Sequence, residues 1–327
     1  MPKPVLIDTD PGVDDALALI LAFRSPELSV EAITTVAGNV PVHQATRNVF
    51  TLLGLLQPMP RPLVGQGAER PLQKAPITAT NVHGDDGLGD LSRFKNPDGT
   101  PRYPEPLVPA DLPDAKSVIL ETVERFPGEL TIIALGPLTN LATAILGARQ
   151  TMRKVHEVVI MGGAIAVPGN VTPAAEFNIA SDPHAARLVF AAGLPIRLIP
   201  LDVTRWVRLT RAHLQEKICP LKEPVAQFVC DCTAKPLLLA RELEGEEVVI
   251  LHDPLAVGAA IDPSLVRSRA LHIQVETSGE FTEGMTLADL RPIRDDRKKA
   301  PNLRAALEVE AERFLTLFLE RVCRGSS

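Results

Sequence analysis

Short apolar runs alternate with longer amphipathic stretches along most of the chain. Continuous aliphatic or β-branched runs occupy 4–8 (PVLID), 30–39 (VEAITTVAGN), 130–136 (LTIIALG), 157–163 (EVVIMGG) and 196–202 (IRLIPLD). Runs of this kind predict strands covered on both faces, as in a parallel sheet. Between them, 42–56, 114–126, 138–148 and 183–192 carry helical patterns. The alternation predicts an α/β fold with a mainly parallel open sheet flanked by helices. The Pro- and Gly-rich stretch 57–112 reads as long loops. Residues 270–288 read as two strands joined near Ser278-Gly279, a late antiparallel hairpin, and 303–322 reads as an amphipathic helix.

Several predicted strands end in polar or glycine-containing turns: Asp8 and Asp10, Gly38-Asn39, Gly136, Gly162-Gly163 and Asp202. Ligands of open α/β sheets bind outside the carboxyl ends of the strands, so these residues should converge on one rim. The densest of these ends is LIDTDPGVDDALAL (6–19), where Asp8, Asp10, Asp14 and Asp15 fall within eight positions. Val5 to Ile7 read as buried strand, Pro11-Gly12 as the turn, and a helix begins near Val13. Asp14 and Asp15 then lie in the first helical turn, where each carboxylate complements the macrodipole by ~0.3–1 kcal/mol. That accounts for two of the four acids. Asp8 and Asp10 end the strand, and four acids around one turn favour a hard cation, Ca²⁺ or Mg²⁺. An EF-hand is excluded, because Gly12 falls one position early and no ligand Glu follows at the twelfth residue. An Asp-x-Asp phosphohydrolase of the haloacid dehalogenase type stays open as an alternative, with Gly12 where a Thr or Val usually stands.

More polar residues cluster further along. His83 lies in VHGDDGLGD (82–90), Asn170, Glu176 and Asn178 in PGNVTPAAEFNIASD (168–182), and His252 and Asp253 in ILHDPLAVGAAID (250–262). Singly, each has an ordinary structural explanation; Asp253, for one, suits a helix N-cap. Together with the aspartates they make an acid, amide and imidazole set with no thiolate chemistry.

Composition narrows the partners. The chain has 327 residues, 45% hydrophobic and 23% charged, with net charge -6, so nothing points to nucleic acid or to an anionic membrane. Aromatic residues are 4% of the chain, with Trp206 and Tyr103 the single Trp and Tyr, too few for base-stacking platforms. Cys219, Cys230, Cys232 and Cys323 form no Cys-x-x-Cys pair and are expected to be reduced, mostly buried thiols. No signal-peptide pattern and no membrane-length apolar run occur, so a cytoplasmic protein is expected. The charge run RDDRKK (294–299) reads as a solvated loop; Arg241 and Glu242 face either the pocket or solvent, with solvent the simpler reading.

DTDPGVDDALAL, TTVAGN, VHGDDGLG, LGPLTNLA, VVIMGGA, GNVTPAAEFN and HDPLAV together resemble the nucleoside hydrolases of the inosine-uridine-preferring group, in the family's order across residues 5 to 258. The resemblance implies one Rossmann-like catalytic domain over 1–327 and Ca²⁺-dependent hydrolysis of ribonucleosides to ribose and free base. It implies one Ca²⁺ per subunit, held by Asp10, Asp15, Asp253 and the carbonyl of Leu135. Asp10 would also be the general base, and His252 the acid for the leaving group. Asp14, Asn39, Asn170, Glu176 and Asn178 match ribose-binding residues, Met161 packs near the sugar, and His83 faces the base. Self-association as a dimer or tetramer is implied in the same way. Purine-selective members stack the base between tryptophans; with Trp206 alone and outside the matched motifs, a pyrimidine-preferring or broad enzyme is expected. A non-catalytic ribose or nucleoside binder is the other alternative. The stretch 222–251 should form the base-side wall.

Overall fold

The computed structural model describes residues 1–292, 297 and 299–323. Twelve strands are present among them: β1 Lys3–Thr9, β2 Leu28–Thr35, β3 Leu63–Gln66, β4 Thr131–Ala134, β5 Glu157–Met161, β6 Ile196–Ile199, β7 Arg208–Thr210, β8 Val248–Ile250, β9 Val266–Leu271, β10 Ile273–Val275, β11 Thr286–Ala288 and β12 Leu303–Val309. The α-helices are α1 Val13–Phe23, α2 Val42–Leu56, α3 Thr80–His83, α4 Ala115–Arg125, α5 Thr139–Met152, α6 Phe177–Ser181, α7 Pro183–Phe190, α8 Leu201–Thr204, α9 Arg211–His213, α10 Pro224–Glu244, α11 His252–Ile261 and α12 Ala311–Cys323.

Eight strands form one sheet in the order β3-β2-β1-β4-β5-β6-β12-β9. Its pairings are parallel except at one edge, where β9 joins β12 antiparallel. The predicted α/β architecture is therefore present, and the five predicted strands lie in this sheet. The late hairpin is present too: Ile273 pairs with Ala288 and Val275 with Thr286. Alternate strand residues feed two apolar cores. Val5, Ile7, Ile33 and Ile133 pack on one face, and Leu6, Ala32, Ile132 and Ala134 on the other. Two covered faces explain why these strands read as unbroken apolar runs.

Three expectations need correction. The segment 303–322 is not one helix: its first part is β12, inserted between β6 and β9, and α12 begins only at Ala311. Leu303, Ala305 and Ala306 are buried in the sheet, so tertiary packing overrides an Ala-, Leu- and Glu-rich composition that favours helix. Within the loop-rich stretch 57–112, Leu63–Gln66 adds a strand at the edge of the sheet. The cysteines are not all reduced: Cys219 and Cys230 form a disulfide with Cα atoms 5.9 Å apart, while Cys232 and Cys323 are free. The chain turns back at Cys219 before entering α10, a proximity that spacing alone does not reveal. Residues 294–296 and 298 of the charge run lie outside the described residues. Among the described residues no helix is long and apolar enough to cross a membrane.

Candidate active site

The strand ends do converge. β1 sits at the centre of the sheet, between β2 and β4, and delivers Asp8 and Asp10 to the carboxyl-end rim. α1 starts at Val13, as expected, with Asp14 and Asp15 in its first turn and Ala16, Leu17, Leu19 and Ile20 buried. Asp15 turns back over the entry to its own helix. Its Oδ2 accepts from the Gly12 N–H at 2.9 Å and from Asn39 Nδ2 at 3.0 Å, and its Oδ1 accepts from Thr9 Oγ1 at 2.5 Å. With the Asp10 N–H 3.4 Å from Oδ1, this carboxylate is thus fixed by four donors around the turn. Asn48 holds the turn from outside, its Nδ2 donating to the Pro11 carbonyl at 2.9 Å.

Asp10 is fully buried and half satisfied. Oδ2 accepts from the Asn39 N–H at 2.6 Å, whereas Oδ1 has no hydrogen-bond partner among the described residues. Two glycines make room for it. A Cβ on Gly38 would stand 1.9 Å from Asp10 Oδ2, and one on Gly136 would stand 2.4 Å from Oδ1. No side chain larger than hydrogen fits at either place without moving the carboxylate. Asp8 is held differently: its Oδ1 accepts from Thr34 Oγ1 at 2.5 Å and Asn140 Nδ2 at 2.8 Å, deep in the sheet, while its Oδ2, like Asp10 Oδ1, has no hydrogen-bond partner among the described residues. It braces the strand end and does not reach the cavity, which leaves it badly placed for a phosphatase nucleophile.

Asp253, in the first turn of α11, completes the acid group. Carboxylate oxygens of Asp14, Asp15 and Asp253 lie within 4.8 Å of one another. Asp10 stands beside this trio. Burial first, then the Asp15 carboxylate, pushes the Asp10 pKa well above its usual range. Burial and then Asp14 do the same to Asp253, and burial with Asp15 lifts Asp14 to about 8. Burial also lifts Asp8 to about 7, against the opposing hydrogen bonds of Asn140 and Thr34. The protein therefore crowds carboxylates that it does not itself neutralise. No Lys or Arg is among the described residues that line the adjoining cavity.

That cavity, about 460 Å³, is lined by Asp14, Asn39, His83, Leu135, Met161, Asn170, Glu176, Asn178, His252 and Asp253, all of them singled out in the sequence. Asp10 and Asp15 lie behind its wall. Asn178 donates from Nδ2 to the Leu135 carbonyl at 2.5 Å and the Met161 carbonyl at 3.2 Å, tying together the ends of β4 and β5. Glu176 caps α6 and accepts from the N–H groups of Asn178, Ile179 and Gly163, so three amides hold its carboxylate. Burial still raises its pKa. Asn170 is exposed at the mouth, its Oδ1 accepting from the Phe177 N–H at 2.9 Å.

Burial lowers His83 and His252 to about 4, and the neighbouring His83 adds to the shift at His252. Burial thus favours the neutral form of both imidazoles.

The opposite wall is apolar. Pro236, Leu239, Ala240, Leu243 and Glu244 form one helical stripe of α10 and face the cavity with Val248, Val249 and Ile250. Sequence reading placed the wall in 222–251 without its contacts; an i, i+3, i+4, i+7 stripe was visible there, but such a stripe also serves an ordinary core. Arg241 and Glu242 are exposed, as expected, with Arg241 3.7 Å from Glu247. Trp206 is 59% exposed and does not line the cavity. The wall is fastened to the His83 loop by Lys235 on Asp90 at 2.7 Å, and to the segment beyond it by Asp231, which takes hydrogen bonds from Arg102 and Tyr103. Thr9, Thr204 and Asn140 are supporting residues that sequence reading missed, because an isolated Thr or Asn carries no pattern.

The oxygen donors fit a hard divalent cation. Asp10 Oδ1 is a buried oxygen without a partner among the described residues, and the neighbouring Asp14, Asp15 and Asp253 offer carboxylate oxygens with no sulfur among them.

Comparison with known proteins follows the same line. A family model described as inosine-uridine preferring nucleoside hydrolase matches residues 5–316. The pyrimidine-specific ribonucleoside hydrolase RihA of Salmonella typhimurium is 36% identical over 327 residues, covering 98% of this chain and 99% of its own. An uncharacterized protein of Schizosaccharomyces pombe is 38% identical over 290 residues, covering 87% and 88%. Among solved structures, the plant nucleoside hydrolase PpNRh1 matches with a TM-score of 0.89 at 35% identity, covering 99% of this chain and 100% of that one. A purine-preferring ribonucleoside hydrolase from Gardnerella vaginalis gives 0.88 at 31% identity, covering 98% of each chain.

Proposed function

The chain belongs to the inosine-uridine preferring nucleoside hydrolases, and from that membership we propose that it hydrolyses the N-glycosidic bond of ribonucleosides, with pyrimidine-preferring or broad base selectivity and a requirement for Ca²⁺. The observation that carries this reading is the two-sided cavity. Acids and amides at the strand ends form one wall, and the apolar stripe of α10 forms the other. A ribose needs the first and a nucleobase the second.

Cleavage of an N-riboside develops positive charge at the sugar, as in an oxocarbenium ion. Asp14, Asp15 and Asp253, crowded and poorly solvated, favour charge of that sign beside them. Asp10, whose Oδ1 is left without a partner among the described residues, is the general base on this reading, a role worth typically ~10²–10⁴-fold. Asn39 and Asn178 order the floor, and Asp14 offers a carboxylate to the ribose hydroxyls. Asp10, Asp15, Asp253 and the Leu135 carbonyl would hold the cation, with Asp14 beside them. Bound there, Ca²⁺ would supply a Lewis acid that orients hydroxyls and acidifies water. Relatives include both pyrimidine-specific and purine-preferring enzymes; the absence of Trp and Tyr from the described cavity wall favours the pyrimidine or broad reading.

The test is release of free base and reducing sugar from uridine, cytidine, inosine and adenosine, with and without exhaustive chelation. Chelator-sensitive ribose release is expected, with 2′-deoxyuridine far slower than uridine. No release from any nucleoside would overturn the reading.

A further inference from the structure

Two imidazoles line the cavity, and each is pinned through Nδ1 by a donor from the fold. The backbone N–H of Val13 donates to His83 Nδ1 at 3.1 Å. Val13 opens α1, so its N–H has no partner within the helix, and the ring nitrogen takes that place. A nitrogen that accepts carries no proton, so the proton of neutral His83 sits on Nε2.

His252 is held by Thr204, whose Oγ1 lies 2.8 Å from its Nδ1. That distance alone lets either group donate. The burial of Thr204 decides between them. Its side chain is fully buried at the end of α8, and among the described residues its hydroxyl has no other hydrogen-bond partner. A buried hydroxyl that fails to donate loses ~1–3 kcal/mol. The second ring nitrogen, by contrast, has no hydrogen-bond partner among the described residues, and His252 lines the cavity, where a ligand can meet it. The hydroxyl therefore donates, Nδ1 accepts, and the His252 proton also sits on Nε2.

We propose that Thr204 is a positioning residue that locks His252 in the Nε2–H tautomer, so that His252 and His83 aim two N–H donors at the departing nucleobase. This rests on the hydrolase reading above. Two such donors suit a leaving group with in-plane acceptors near the glycosidic bond, such as the carbonyl oxygen of a pyrimidine. As the C1′–N bond breaks, its electron pair goes to the base. The water oxygen bonds to C1′ and its proton passes to Asp10. The base departs as an anion whose charge, spread onto its carbonyl, is held by the two N–H groups. It takes a proton afterwards from the Asp10 carboxyl or from bulk water. In this tautomer His252 presents its Nε2–H to the base as a hydrogen-bond donor.

Two measurements test this. Two-bond ¹⁵N–¹H correlations of the histidine-labelled protein, with His252→Gln to assign the signal, read the tautomer without any turnover. An Nδ1–H form at His252 would overturn the proposal even if Thr204 variants failed to fold. The second compares kcat on uridine and on p-nitrophenyl riboside, whose leaving group departs unaided. Thr204→Val should lower kcat on uridine ~10-fold or more while leaving p-nitrophenyl riboside within about two-fold. KM should barely move, and Thr204→Ser should recover most of the loss. Equal losses on both substrates, or none on either, would overturn the positioning role. If the unmodified protein cleaves neither substrate yet shows the Nε2–H form, the hydrolase reading and the positioning role both fall, and the tautomer assignment stands.

Discussion

The two walls of the cavity are built by different means. The acid floor stands on the centre of an eight-stranded sheet, and Asp10, Asp15 and Asp253 are nearly inaccessible. Each of its braces is short and comes from the backbone or from a side chain rooted in a strand end or helix start. The base-side wall is the C-terminal part of α10 together with β8, and Leu238 and Leu243 there are 47% and 75% exposed. It is fastened from outside, by Lys235 on Asp90, by the Asp231 hydrogen bonds and by a disulfide at Cys230. The difference separates two tasks. Bond cleavage needs charge held in fixed positions, which the buried ends of central strands supply. Choice of base needs apolar shape, which a helix face can vary without disturbing the floor.

Changing the floor should produce the largest effect. Asp10→Asn should lower kcat by ~10²–10⁴-fold while the melting temperature holds or rises, because the amide relieves the crowding of carboxylates. Steady-state kinetics beside a thermal melt would check both halves, and near-normal turnover would remove Asp10 from the chemistry. Cation binding should come next. Ca²⁺ at 100-fold over its dissociation constant should stabilise the chelated protein by about 2.7 kcal/mol, read by calorimetry. An unchanged melt would mean that Asp10, Asp15 and Asp253 hold no such ion. The smallest effect belongs to the wall. Lys235→Met removes an ion pair whose side chains are 29% and 31% exposed, so stability should fall by at most ~1 kcal/mol. KM for uridine should rise a few-fold with kcat nearly unchanged. A kcat loss as deep as that of Asp10→Asn would erase the distinction between the walls.

How much was legible in the sequence follows the same division. The floor was readable because buried parallel strands write themselves as unbroken apolar runs, and an acid at the end of such a run is conspicuous. Gly38 and Gly136 stood out for the same reason, although only the packing shows that both make way for Asp10. The wall was hardly readable. Leu239 and Leu243 on α10 face a cavity, yet their spacing is the one an ordinary core helix uses. The residues 303–309 were misread because their composition suits a helix; the open hydrogen-bonding edges of β6 and β9 made them a strand.

By itself the sequence determined the α/β class, the rim of polar strand ends and the residue types that meet there, since local periodicity and composition carry that information. Tertiary structure alone decided which atoms were left without partners. The free Oδ1 of Asp10, the proton position on His252 opposite Thr204, the pairing of Cys219 with Cys230 and the facing of α10 all depend on neighbours distant in the chain. A hydrogen bond or a desolvated charge is a property of a pair in space, and no spacing along one strand of residues encodes it.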